Sequence, residues 1–243
     1  MPNQPYGKKH LAAAFLCGTL FFSGLSYAAT QTIDVSFAPL KFFVNGEDKT
    51  PDGEFDNNGT KVPASLIYEG TTYVPLRMVG QMVTEAVYWD GNTSSVSIGQ
   101  PLVQLTDAAG KHIGSAVLTA APQGVAISVS VSGLTPGLHG IHVHESAIKG
   151  SDFKTAGGHF NPEGAKHGHD NPDGAHIGDL MNLEVKADGT AKAELIVEGA
   201  TLTAGDEHSL LGKSLVIHAA EDDYKTDPSG NSGDRIAGGN IPQ

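Results

Sequence analysis

The chain has 243 residues, 39% of them hydrophobic, which is enough to bury a sizeable core, and its 31 glycines and 13 prolines favour turns over long helices. With 15 Lys and Arg against 27 Asp and Glu, the formal charge is -12. That balance excludes nucleic acid and anionic membrane surfaces as natural partners, since both reward positive patches.

Residues 1–28 read as a secretory signal. Lys8 and Lys9 precede the apolar run "LAAAFLCGTLFFSGL", which is too short to span a bilayer. Small residues at Ser26 and Ala28 suit cleavage after Ala28, so export is expected, to the cell envelope, the periplasm or the exterior. The single cysteine, Cys17, lies inside this run behind the bulky Leu16, which argues against a lipid-attachment signal. After cleavage the chain holds no thiol, and its stability rests on the core and on any bound metal.

Residues 29–100 form a first segment, closed by a composition shift near Gln100-Pro101. Asn45-Gly46 marks a turn, Tyr73 and Val74 a strand, and Pro75 the first turn of a helix with Leu76, Val79, Met82 and Val83 on one side. Asp90-Gly91 predicts a hairpin between "AVYW" and "SSVSI". The words "TYVPLRMVG" and "VYWDG" resemble the N-terminal stalk-like domain of copper amine oxidases, which implies a small α+β module that contacts cell wall or another envelope component. No His or Cys lies between residues 30 and 100, so copper binding has no support there.

From 101 to 243 the pattern is all β. Val125, Ile127, Val129 and Val131 alternate with small residues at the period of a half-buried strand, and six further short runs follow suit. Short strands with Gly-rich turns predict an antiparallel sandwich or barrel. Two stretches, 146–178 and 221–234, break the rhythm and are long enough to be functional loops.

His142 and His144 flank Val143 in "GIHVHE", so on a strand both imidazoles face one side. Alone, that pattern fits a solvated surface as well as a metal site. His218 at the end of "SLVIH", and the loop "HFNPEGAKHGHDNPDGAHIGD" with His159, His167, His169 and His176, add further candidates. A sulfur-free imidazole set with carboxylates suits copper and zinc.

Together "GLHGIHVHE", "GGHFNP", "KHG", "HIGDL", "LVIHAAEDD" and "GNSGDRIAGG" resemble copper-zinc superoxide dismutase, in family order over about 140 residues. The resemblance implies a Greek-key β-barrel or sandwich, mainly β overall, and a copper and a zinc ion acting on superoxide anion. It implies copper on His142, His144, His159 and His218, and zinc on His159, His167, His176 and Asp179, with His159 bridging. Asp222 would join a copper-ligand histidine to a zinc-ligand histidine, and Arg235 would guide the anion. A homodimer is an admissible assembly. The same match is open to a second reading, a metal-binding or structural envelope protein with little turnover. His169 is expected to be exposed, Asp170 and Asp173 to serve turns, His139 and His208 to be structural, and His112 to lie on the surface. Where the family has a disulfide between the metal loop and the last strand, this chain has Phe153 and Gly238. Packing by Phe153 is the expected substitute, and Asp234 is expected to weaken the field of Arg235.

Overall fold

The computed structural model describes residues 32–243, so the signal, its cleavage site and Cys17 lie outside the described residues. Contacts divide the chain into two compact units, Met1–Ala86 and Val87–Gln243, with the division ahead of the composition shift near Gln100.

The first unit contains three tight hairpins. Phe43–Val44 pairs with Glu47–Asp48, Glu54–Asn57 with Thr60–Pro63, and Leu66–Tyr68 with Thr71–Tyr73. Each turns on two positive-φ residues: Asn45-Gly46, Asn58-Gly59 and Glu69-Gly70. These are the two-residue turns whose twist matches that of the strands. A helix runs over Leu76–Met82 with Pro75 as its N-cap. Its buried residues are Met78 and Gly80, while Leu76 and Val83 are exposed, so the expected apolar stripe is corrected. In two turns, several i, i+4 stripes are apolar enough to serve, and spacing cannot choose between them.

The second unit opens with the expected hairpin, Val87–Asp90 against Ser95–Ile98. Buried Asp90 closes it, accepting from the Asn92 amide at 2.9 Å and from the Thr93 hydroxyl at 2.6 Å. Seven strands then build one sheet: β1 (Leu102–Asp107), β2 (His112–Ala121), β3 (Gly124–Ser132), β4 (Ile141–His144), β5 (Thr190–Glu198), β6 (Ser214–His218) and β7 (Arg235–Asn240). Their order is β4-β6-β7-β1-β2-β3-β5, with every neighbouring pair antiparallel. The chain thus crosses from β3 to the far edge at β4 and returns to β5 beside β3, a Greek-key path.

The sheet curls on itself. Ile141 and Val143 of edge strand β4 share one buried cluster with Leu195 and Val197 of the opposite edge β5, and with Val125, Ile127, Leu215 and Ile217 between them. Each fully buried Leu or Ile there contributes about 1.5–3 kcal/mol. Strand β4 is buried on both faces. One face enters this core, and the other, carrying His142 and His144, lies under the segment from 146 to 179.

Candidate metal centre

Alternation along β4 sends Ile141 and Val143 inward and leaves His142 and His144 on the same outer side. Neighbouring β6 pairs Ile141 with Ile217, and a register irregularity after Ile217 re-aims His218 towards them. The loop comes in from above as irregular strand pairing: the Val143 amide donates to Gly178 O at 2.9 Å, and the Phe160 amide to Val143 O at 2.8 Å. Residue 178 must be glycine, because a Cβ would run into the Val143 carbonyl. This docking sets His144 opposite His159 and His142 opposite Asp179.

The hydrogen bonds fix which ring nitrogen carries each proton. His144 Nδ1–H donates to Gly157 O at 3.0 Å, and His218 Nδ1–H to Gly233 O at 3.2 Å; a carbonyl can only accept. Both Nε2 atoms therefore hold lone pairs, and they face each other at 3.4 Å. His142 Nε2–H donates to Asp222 at 2.7 Å, which leaves its buried Nδ1 without a partner. His159 Nδ1–H donates to Asp179 at 2.8 Å, and its buried Nε2 is unpartnered too. One ring nitrogen from each of His142, His144, His159 and His218 falls within 4.8 Å of the others. Convergent, buried lone pairs cost free energy unless a cation shares them.

The second cluster has the same defect. Asp179 Oδ1 lies 2.8 Å from His159 Nδ1, 3.0 Å from His167 Nδ1 and 3.2 Å from His176 Nδ1. His167 Nε2–H is already given to Asp222 at 3.0 Å, and its Nδ1 lacks hydrogen-bond geometry despite the short approach. A neutral His167 would set a lone pair against a carboxylate oxygen. Burial pushes the His167 pKa down, but the nearby carboxylates of Asp179 and Asp222 outweigh it and raise it to about 9. A proton stands where a divalent ion would relieve the same conflict. His142, His167 and Asp222 also lie close together, but their facing atoms are spent on each other, so they form a bridge between the two clusters rather than a third site.

Burial sets the remaining titrations. It lowers His142 to about 3, His144 to about 2 and His218 to about 4, and it lowers His159 as well. All four are thus neutral and ready to ligate. Burial alone would raise Asp179 and Asp222, yet the imidazole donors hold both well below the usual carboxylate range.

Arg235, at the start of β7, donates through Nη1 to Phe153 O at 2.7 Å and through Nη2 to Gly157 O at 2.6 Å. Gly157 O thus holds both Arg235 and His144. An open hollow beside the guanidinium is lined by Ser151, Asp152, Lys154 and Asp234. Among the described residues Asp234 makes no ion pair with Arg235; its carbonyl accepts from the Ala219 amide at 2.7 Å. Phe153 is buried with Ile148, Ala156 and Val216, and a Cβ on Gly238 would lie 3.5 Å from its ring, so packing does occupy this place.

Of the other described histidines, His208 departs from expectation: its ring bonds no backbone and lies 3.7 Å from the Glu163 carboxylate. His169 and His112 are exposed, and buried His139 spans His218 O at 2.7 Å and Thr135 O at 2.9 Å. The expected turn role of Asp170 and Asp173 is corrected. Asn171 does that work, donating to His167 O and accepting from the Asp173 amide, and its amide side chain can do both where a carboxylate can only accept. Sequence reasoning missed Asn182, which grips the Asp222 backbone from both sides at 2.8 and 2.9 Å, and Asp227, which accepts from the His167 amide at 2.9 Å. Asn182 in the apolar run "LMNL" was the one available signal.

Comparison with known proteins agrees with this geometry. The sequence profile described as copper/zinc superoxide dismutase (SODC) matches residues 91–241. A protein named superoxide dismutase (Cu-Zn) 2 from Aquifex aeolicus is 41% identical over 155 residues, covering 60% of this chain and 91% of that protein. A superoxide dismutase (Cu-Zn) from Deinococcus radiodurans is 39% identical over 184 residues, covering 70% of this chain and 94% of its own length. A solved SOD-like protein from Bacillus subtilis superposes with a TM-score of 0.56 at 40% identity, over 58% of this chain and 97% of that one. Inward lone pairs and a matching profile lead to one conclusion: the chain belongs to the copper/zinc superoxide dismutase family.

Proposed function

We infer that the chain is an exported enzyme that converts two superoxide anions and two protons to dioxygen and hydrogen peroxide. The observation that carries this reading is the set of buried, convergent imidazole lone pairs with no partner of their own. His142, His144, His159 and His218 would hold copper, an all-imidazole donor set suited to that ion. His159, His167, His176 and Asp179 would hold zinc, three nitrogens and an oxygen suited to a tetrahedral site. When bound, copper supplies one-electron redox chemistry, while zinc supplies fixed positive charge.

The chain's own residues do the rest. Asp222 orients His142 and His167, so each ring turns one lone pair inward. Arg235 spends two of its five N–H groups on carbonyls and keeps the others for an approaching anion. It supplies local positive charge in a protein whose net charge is -12. His159 Nε2, buried and unpartnered, is the atom at which this chain can hold a proton between the two half-reactions.

Export rests on the signal-like run ending at Ala28. The residues ahead of the dismutase region, about 29–100, would serve as a stalk-like module that reaches cell wall or another envelope component. That reading rests on "TYVPLRMVG" and "VYWDG".

Metal content and superoxide removal measured on one signal-free sample test the proposal. One copper and one zinc per chain, with turnover well above that of free copper, are expected, and Arg235→Ala should lower kcat/KM on the order of ten-fold. Full loading without turnover would instead make this a metal-binding envelope protein.

A further inference from the structure

We propose that Asn240 is a positioning residue for Arg235, holding from the far end of β7 the segment whose carbonyls fix the guanidinium. The inference rests on the reading of Arg235 as the anion-docking group. Asn240 is buried, and its side chain pairs with Ile148 as a peptide group would: Oδ1 accepts from the Ile148 amide at 2.7 Å and Nδ2 donates to the Ile148 carbonyl at 3.0 Å. The Ile148 side chain is packed with Phe153 and Ala156. The Phe153 carbonyl, five residues on from Ile148, and the Gly157 carbonyl are the acceptors that hold Arg235.

The segment between is cross-tied to itself. The Lys149 amide donates to Thr155 Oγ1 at 2.8 Å, Thr155 Oγ1 donates to Asp152 O at 2.6 Å, and the Lys154 amide donates to Asp152 Oδ1 at 3.0 Å. Strand β7 is register-locked to β6 at both ends, with Asn240 opposite Ser214 and Arg235 opposite His218. One six-residue strand therefore grips this segment twice, by Asn240 at one end and by Arg235 at the other. Releasing Ile148 frees the segment to shift, and the two carbonyls carry Arg235 with them. No thiol is involved in this tie.

The test is a double-mutant cycle on the copper- and zinc-loaded protein. Asn240→Leu, close to isosteric, should keep both metals, lower kcat/KM for superoxide by roughly three- to ten-fold and weaken azide binding to a similar extent. It should also speed hydrogen exchange at the Ile148 amide in the metal-free protein, a readout independent of turnover. Adding Asn240→Leu to Arg235→Ala should cost nothing more, because Asn240 acts through Arg235. Asn240→Asp, which keeps the acceptor and loses the donor, should show a smaller loss with the same non-additivity, and it serves if the leucine variant does not fold. Losses that multiply in the double mutant, or that track loss of metal, overturn the proposal. An unchanged rate in Arg235→Ala would instead overturn the docking reading itself.

Discussion

Asp222 accepts from His142 at 2.7 Å and from His167 at 3.0 Å, and by accepting the N–H of each ring it decides which nitrogen of each faces inward. Asn at this position would offer one oxygen and one NH2 group, and the NH2 would confront an imidazole N–H. One ring would have to move its proton to the inner nitrogen, the nitrogen a metal needs bare. Asp222→Asn is therefore expected to weaken zinc binding about 10- to 100-fold, measured by chelator competition; unchanged affinity would remove Asp222 from this role. The same buried rings predict how the metal-free fold responds to acid. His142, His144 and His218 are lowered to about 3, 2 and 4, so the folded state refuses protons that the unfolded chain accepts below about 6.5. Stability should fall as pH drops from about 6.5 towards 4. His167, raised to about 9, works in the opposite sense: its contribution is complete below about 6.5 and fades as pH climbs to 9. With four lowered groups, His159 included, against one raised, the thermal midpoint of a chelator-treated sample should be lower at pH 4.5 than at pH 7; a higher midpoint in acid would refute the assignment.

At the scale of elements, the segment from Ile148 to Gly157 is held by packing on Val216 of β6 and by side-chain hydrogen bonds to β7. Phe153→Ala removes the largest side chain of that small cluster and should cost the metal-free protein about 3 kcal/mol, read by urea unfolding. Reductant should leave the midpoint of the signal-free protein unmoved, since residues 29–243 contain no cysteine. Much of this was legible in the sequence. Alternation placed His142 and His144 on one face of a strand, and Phe153 and Gly238 announced that the tie would not be covalent. The rest was hidden for a physical reason: the acceptors that orient His144 and Arg235 are the carbonyls of Gly157 and Phe153, and every residue type has a carbonyl. Asn240 was hidden for a related reason, since a lone polar residue in "GGNIPQ" has no period or spacing to betray its partner 92 residues away. The short helix at Leu76–Met82 shows the limit of periodicity, which chose the wrong stripe over two turns.

At the scale of the whole dismutase unit, curling lets both edges of one sheet bury into a single core. Edge strand β4 is covered by the metal-binding loop, so the feature that creates the site also blocks edge-to-edge aggregation there. The first strand of the unit is likewise stitched to its last residue. Trp89 donates its amide to Gln243 O at 2.6 Å, and the Gln243 amide returns a bond to Trp89 O at 3.0 Å. The two ends of the 87–243 stretch are therefore neighbours in space, and the order in which the chain visits the elements is, for this unit, close to a convention. A circular permutant that joins Gln243 to Val87 through a short linker and opens between exposed Ala204 and Gly205 should fold and bind both metals. Its metal stoichiometry would tell whether the path of the chain, or only the final set of contacts, builds the centre.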